Sequence, residues 1–256
     1  MRGLTGKALT GGVHAVLDRR LASGATAPLA VALSGGGDSL ALTLLAAEWA
    51  AAHGRRLLIL TVDHRLTPQS ADWTAACAVQ AARLGADFQA LAWEGDKPAR
   101  GLPAAARAAR HRLLADAARQ AGARVILMAH TASDVAEAAA MRAAGSTTPS
   151  PREWAPSPVW PEGRGLFLLR PMLHLSRGEI RAWLSGRGET WIEDPANADL
   201  RFARARARAA GPDLAPPAQP SEPPPAGVEV DAAGVVCLPR TALTPLTLAV
   251  ACLCAA

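Results

Sequence analysis

Residues 29 to 53 write out one complete strand–turn–helix unit, and that unit restricts the fold more than any other part of the chain. Leu29-Ala30-Val31-Ala32-Leu33 is an unbroken apolar run that reads as a short buried strand. The Ala- and Leu-rich stretch from Leu40 to His53 reads as a helix. Between them lies Ser34-Gly35-Gly36-Gly37-Asp38-Ser39. Three consecutive glycines let the backbone turn sharply and leave its amides unshielded. Together with the positive end of the following helix, those N–H groups make a concave anion site. A Walker loop would carry Lys beside its Ser or Thr, and here the charged residue is Asp38. An acid next to a phosphate nest is unfavourable unless a divalent cation lies between them, so Asp38 implies Mg²⁺. A glycine-rich turn that binds nothing is the bland alternative. The strand, the helix and the flanking Ser34 and Ser39 all weigh against it.

The pattern beyond the loop alternates strand and helix, which predicts an α/β fold with a doubly wound parallel sheet. Strands are expected at Leu57–Val62, Phe88–Trp93 and Val125–Ala129, with helices at Ser70–Leu84, Pro103–Ala121 and Ser133–Ala144. An amphipathic leading helix is expected before residue 24. In such sheets ligands sit beyond the carboxyl ends of the strands. The glycine loop, Asp63 and His130 all follow strands, and so are expected around one crevice. The Pro-, Ser- and Trp-rich stretch Gly145–Gly165 reads as a long loop. Leu166–Arg208 reads as a helical, arginine-rich extension. The expected organisation is therefore a domain over 1–210, a Pro-rich linker over 211–227 and a small, incomplete module over 228–256. That module would hold a hairpin around Ala233-Gly234 and then the start of an apolar helix.

Composition narrows the partners. The chain has 256 residues, is 50% apolar and carries a formal net charge of +5, which suits a nucleic-acid partner or simply a basic surface. Its four cysteines, Cys77, Cys237, Cys252 and Cys254, form no CxxC pair and no zinc-type spacing. Disulfides are not expected, and the chain reads as cytoplasmic. No stretch approaches the ~20 apolar residues of a membrane helix, and no protein partner is evident.

Several segments carry a resemblance. Ser34–Ser39 resembles the pyrophosphate-binding loop of the N-type ATP pyrophosphatases, which cleave ATP between the α- and β-phosphates to adenylate a substrate. Thr61-Val62-Asp63-His64-Arg65 with Ser70, Ala106-Arg107-Ala108-Ala109-Arg110-His111, and Ala129-His130-Thr131-Ala132-Ser133-Asp134-Val135-Ala136-Glu137 narrow it to the tRNA(Ile)-lysidine synthases. Leu169-Arg170-Pro171, Arg177-Gly178-Glu179-Ile180, Trp191-Ile192-Glu193-Asp194-Pro195 and Arg204–Arg208 resemble further segments of that family. The likeness runs in order from Leu29 to Arg208. The departures are His111 where the family usually has Tyr, Thr131, Ser133 and Val135 in the third segment, and Ala205 in place of Asn.

The resemblance implies ATP-dependent ligation of free L-lysine to C2 of the wobble cytidine of a tRNA(Ile) with a CAU anticodon. Lysidine, AMP and pyrophosphate are the products. It implies ATP and Mg²⁺, with Ser34, Gly35, Gly36, Gly37, Asp38 and Ser39 around the phosphates and Asp63 near the adenosine. Asp38 and Asp134 are candidate metal ligands, with Glu137 beside them. His130, Arg107 and Arg110 are candidates to neutralise phosphate or nucleotide charge, and Arg201, Arg204, Arg206 and Arg208 to bind tRNA backbone. If a helix begins at His130, then His130, Asp134 and Glu137 share one face. Competing readings make Asp63 the cap of the helix near Ser70, and Arg107 and Arg110 a solvated face. A thiolase-like tRNA enzyme would need cysteines near the nucleotide, whereas Cys77 lies mid-helix. A non-catalytic tRNA-binding relative is the other alternative, motivated by Thr131, Ser133 and Val135.

Overall fold

The computed structural model describes residues 6–22, 24–146 and 149–194, together with two short strands at 229–230 and 236–237. Helix α1 (Gly6–Arg20) leads into β1 (Leu29–Ala32), α2 (Gly37–Ala52), β2 (Leu57–Asp63), α3 (Ser70–Arg83), β3 (Asp87–Ala92) and α4 (Leu102–Gln120). Strand β4 (Val125–Leu127), α5 (Ala132–Ala143), β5 (Trp154–Pro156), β6 (Phe167–Leu169) and α6 (Arg177–Ser185) follow. A further antiparallel pair is formed by β7 (Glu229–Val230) and β8 (Val236–Cys237); the turn expected at Ala233-Gly234 lies outside the described residues.

The main sheet has the order β3-β2-β1-β4-β6-β5, parallel except for the edge strand β5. Alternation along each strand divides its apolar residues between two layers. Leu29, Val31, Leu57, Ile59, Val125 and Leu127 join a core with α1, α2, α3 and α6. Ala30, Leu58, Leu60, Ile126 and Met128 join a second core with α4. With both faces covered, the strands read as continuous apolar runs in the sequence. The chain proceeds outward from β1 through β2 to β3, then returns to place β4 on the other side of β1. The resulting switch point between β1 and β4 is where an open α/β sheet opens a crevice.

Two expectations need correction. The stretch from 166 is not helical throughout: Phe167–Leu169 is a sheet strand, and only Arg177–Ser185 is helix before residue 195. Three apolar residues are too few to show a period, so pairing with β4 decides their state. The long loop over 145–165 also contains a strand, β5, whose Pro156 is tolerated because β5 is an edge.

Candidate active site

The glycine loop leaves β1 and enters α2 directly, the helix beginning at Gly37 rather than Leu40. Gly35 adopts φ +85°, a left-handed conformation that only glycine takes readily. Two serines hold the turn. Ser39 Oγ donates to the Gly36 carbonyl (2.9 Å) and accepts from the Ser34 N–H (3.2 Å), and the two hydroxyls lie 3.0 Å apart. The amides at the N-terminus of α2 have no helical carbonyls to bond. Asp38 occupies that first turn, so it is a helix residue rather than a free loop carboxylate.

Across the switch point, β4 ends and the chain turns through His130 into α5. The helix starts at Ala132 with Thr131 as its N-cap. His130 therefore precedes the helix and does not share a helical face with Asp134 and Glu137. Asp134 Oδ2 accepts from both the Thr131 N–H (2.9 Å) and its hydroxyl (3.0 Å). Thr131 is thus a satisfied, fully buried cap, and Val135 is buried in the apolar interior. Both departures from the family pattern have a local structural role.

The residue that organises the acids is one to which sequence reasoning assigned no role. Arg177, the first residue of α6, places Nε 3.1 Å from Asp38 Oδ2, Nη2 3.2 Å from Asp134 Oδ1 and Nη1 2.8 Å from Glu137 Oε1. One guanidinium thereby ties together three carboxylates from two helices that flank the crevice. Burial pushes the Asp38 carboxyl up from its ordinary value, with Arg177 only partly opposing it. Burial acts the same way on Asp134, but Arg177 and the Thr131 bonds outweigh it and hold that carboxyl low. The three acids in turn raise Arg177 against the effect of its own burial, so it stays charged. Its signal in the sequence was the Arg177-Gly178-Glu179-Ile180 segment.

A basic side faces this acidic one. Arg170, buried at the end of β6, donates from Nε to His130 Nδ1 at 3.2 Å and from Nη1 to the Arg152 carbonyl at 2.8 Å. A guanidinium can only donate, so Nδ1 of His130 is the acceptor and its proton sits on Nε2. Burial, then the Arg170 charge, bring His130 down to about 3. His130 therefore offers an N–H rather than a positive charge in this arrangement. Arg107 and Arg110 on α4 are half-buried rather than a solvated face. Burial first and then these two charges also depress His111 to about 3. Asp63 ends β2, one strand from the loop. Its Oδ1 accepts from the Arg65 N–H at 2.8 Å and so holds a turn rather than capping α3, whose N-cap is Gln69.

Arg201, Arg204, Arg206 and Arg208 lie outside the described residues. Among the described residues no group of three or more His, Cys, Asp or Glu is gathered to hold a metal. Mg²⁺ does not require one, because it commonly takes one or two protein carboxylates and completes its shell with phosphate oxygens and water. Asp38 and Asp134 fit that donor chemistry. Three carboxylates against one guanidinium also leave the acidic side with net negative charge. No helix among the described residues is long and apolar enough to cross a membrane.

Comparison with known proteins bears on the family and the fold. A family model described as the PP-loop domain matches residues 13–212. A tRNA(Ile)-lysidine synthase of Caulobacter vibrioides is 59% identical over 244 residues, covering 95% of this chain and 59% of that protein. Another, of a Bradyrhizobium species, is 46% identical over 190 residues, covering 73% and 52% respectively. The chain thus spans less than two thirds of the length of these relatives. The solved U34-tRNA thiolase NcsA of Methanococcus maripaludis superposes with a TM-score of 0.64 at 14% identity, over 78% of this chain and 71% of its own. An NH3-dependent NAD synthetase of Campylobacter jejuni gives 0.52 at 13%, over 72% and 74%. At such identities these two share the fold alone. With its glycine loop, its strand order reversing between β1 and β4 and a family match over most of its length, the chain belongs to the PP-loop domain family.

Proposed function

We propose that this chain carries out the chemistry of a tRNA(Ile)-lysidine synthase. ATP adenylates C2–O of the wobble cytidine in a tRNA(Ile) with a CAU anticodon, and free lysine displaces AMP to leave lysidine. The observation that carries the reading is the meeting, at one switch point, of an anion-binding glycine loop with three carboxylates bridged by Arg177. The 59% identity to a synthase across nearly the whole chain supports this reaction among adenylating ones.

Each residue then has a task. The loop amides at the N-terminus of α2 receive the β- and γ-phosphates and stabilise the charge that builds on departing pyrophosphate. Mg²⁺, when bound, supplies further charge neutralisation on those oxygens, held by Asp38 and Asp134. Arg107 and Arg110 present positive charge to the nucleotide from the opposite wall, and His130 donates a hydrogen bond from Nε2. Asp63 stands at the neighbouring strand end, on the side proposed for the adenosine. The lysine amine must lose its proton before attack, and the buried acids are the groups able to hold the ammonium and accept that proton. Arg201, Arg204, Arg206 and Arg208 are proposed to contact tRNA backbone. Work on tRNA suits a cytoplasmic location. A thiolase-like reading is not favoured, because Cys77 is buried in α3 with its thiol pushed up by burial, the opposite of a reactive cysteine.

The test is incorporation of labelled lysine into unmodified tRNA(Ile) transcript, with pyrophosphate release followed in parallel. ATP-dependent incorporation that Asp38→Ala abolishes is the expected result. Binding of tRNA by the folded chain with neither lysine transfer nor pyrophosphate release would instead identify a non-catalytic relative.

A further inference from the structure

We propose that Trp191 and Ile192 are positioning residues for the glycine loop, forming a strap that aims its amides at the anion without contacting the anion. The proposal rests on the reading of this loop as a phosphate site.

Three contacts carry it. The Ile192 N–H donates to the Gly35 carbonyl at 3.0 Å. A trans peptide points its C=O and the next N–H in opposite directions. Fixing the Gly35 carbonyl toward the strap therefore turns the Gly36 N–H away from it, so that amide is not consumed by the protein's own chain on that side. The Ile192 side chain closes over Gly35 so tightly that a β-carbon there would lie 2.5 Å from its Cδ1. The Trp191 ring lies flat enough on Gly37 that a β-carbon would meet three ring atoms, each at 3.4 Å. The first and last glycines are thus clamped by side chains. Gly36, whose added β-carbon would meet only Ser34 Oγ at 3.8 Å, is left open.

The strap is itself anchored to the acidic side of the site. Trp191 Nε1 donates to Glu193 Oε1 at 2.7 Å, and Glu193 Oε1 pairs with Arg181 at 3.1 Å. Arg181 is one turn along α6 from Arg177, which holds Asp38, Asp134 and Glu137. One element, α6 with the strap, therefore sets both the carboxylates and the loop that faces them. A three-glycine turn has many accessible shapes, and ordering it at the moment of binding would weaken affinity. The strap keeps the loop ordered beforehand.

Calorimetric titration with Mg-ATP, and separately with inorganic pyrophosphate, tests this on wild type, Trp191→Ala, Trp191→Phe and Ile192→Ala. The two alanine variants should each bind about tenfold more weakly or worse. Trp191→Phe, which keeps the ring over Gly37 but not the Glu193 bond, should recover most of the binding that Trp191→Ala loses. A second readout does not depend on variant folding. In protein labelled with 5-fluorotryptophan, the ¹⁹F resonance absent from Trp191→Phe should shift when pyrophosphate binds. Alanine variants that fold and bind as wild type does, or more tightly, would overturn the strap; tighter binding would mean that it sits in the anion's seat. An unmoved ¹⁹F resonance at saturating pyrophosphate would overturn it too. Wild type binding neither probe would instead overturn the phosphate-loop reading and the strap together.

Discussion

Replacing Arg177 with Met removes one charge and leaves most of the side-chain stem, and it should destabilise the protein far more than an ordinary surface substitution. The three ion pairs span 2.8 to 3.2 Å, and the Arg177 side chain is only 22% exposed. Each pair is worth on the order of 4 kcal/mol gross at the effective dielectric near a protein surface. Desolvation offsets much of that, but taking away one partner leaves the others buried and uncompensated, at a cost of ~3–5 kcal/mol. For a chain of this size that lowers the thermal midpoint by about 10 °C.

The loss should shrink on acidification. In wild type, Asp134 is held low, so its contribution is lost only as pH falls through that depressed value. In Arg177→Met, Asp38 keeps its burial and the neighbouring Asp134 charge, both of which raise it. Asp134 keeps the Thr131 bonds but loses the strongest charge that holds it down, so repulsion between the two is relieved at a higher pH than in wild type. Thermal unfolding followed by circular dichroism at pH 8 and pH 5 reads both effects. Equal midpoints at pH 8, or a difference that widens at pH 5, would refute the claim that Arg177 neutralises this cluster.

Other substitutions probe the loop, the histidines and the tRNA surface. Gly35→Ala combines a left-handed φ with the Ile192 collision, and should abolish ATP binding in a calorimetric titration, whereas Gly36→Ala should be sterically tolerated. His111 is 3% exposed with neither ring nitrogen hydrogen-bonded, and its value of about 3 means that the unfolded chain takes up a proton which the fold rejects. Stability should therefore fall as pH drops below about 6.5, and His111→Phe should recover about 2 kcal/mol of that loss between pH 7 and pH 5 in urea titrations. Arg204→Ala/Arg206→Ala/Arg208→Ala should weaken tRNA binding and flatten its dependence on salt while sparing ATP. An unchanged salt slope would move the tRNA footprint elsewhere.

The sequence by itself determined the parallel α/β class and the glycine loop, and it singled out the three acids that the fold gathers around Arg177. Those features are local: a run of buried strand residues, three glycines before a helix, and Asp134 and Glu137 three residues apart each announce themselves within a few positions. What only the tertiary structure decided was how the charges are paired. Arg177 is 139 residues from Asp38 in the chain, and nothing near it in sequence says that its guanidinium closes the acid cluster. The same holds for His130, whose ring reads as a candidate cation until Arg170, 40 residues on, claims its Nδ1. Strand β6 was likewise hidden, since three apolar residues acquire a conformation only from the β4 edge that they pair with. A periodic pattern reports what one segment does with its own backbone, but charge pairing and edge pairing depend on which distant segments the fold brings together.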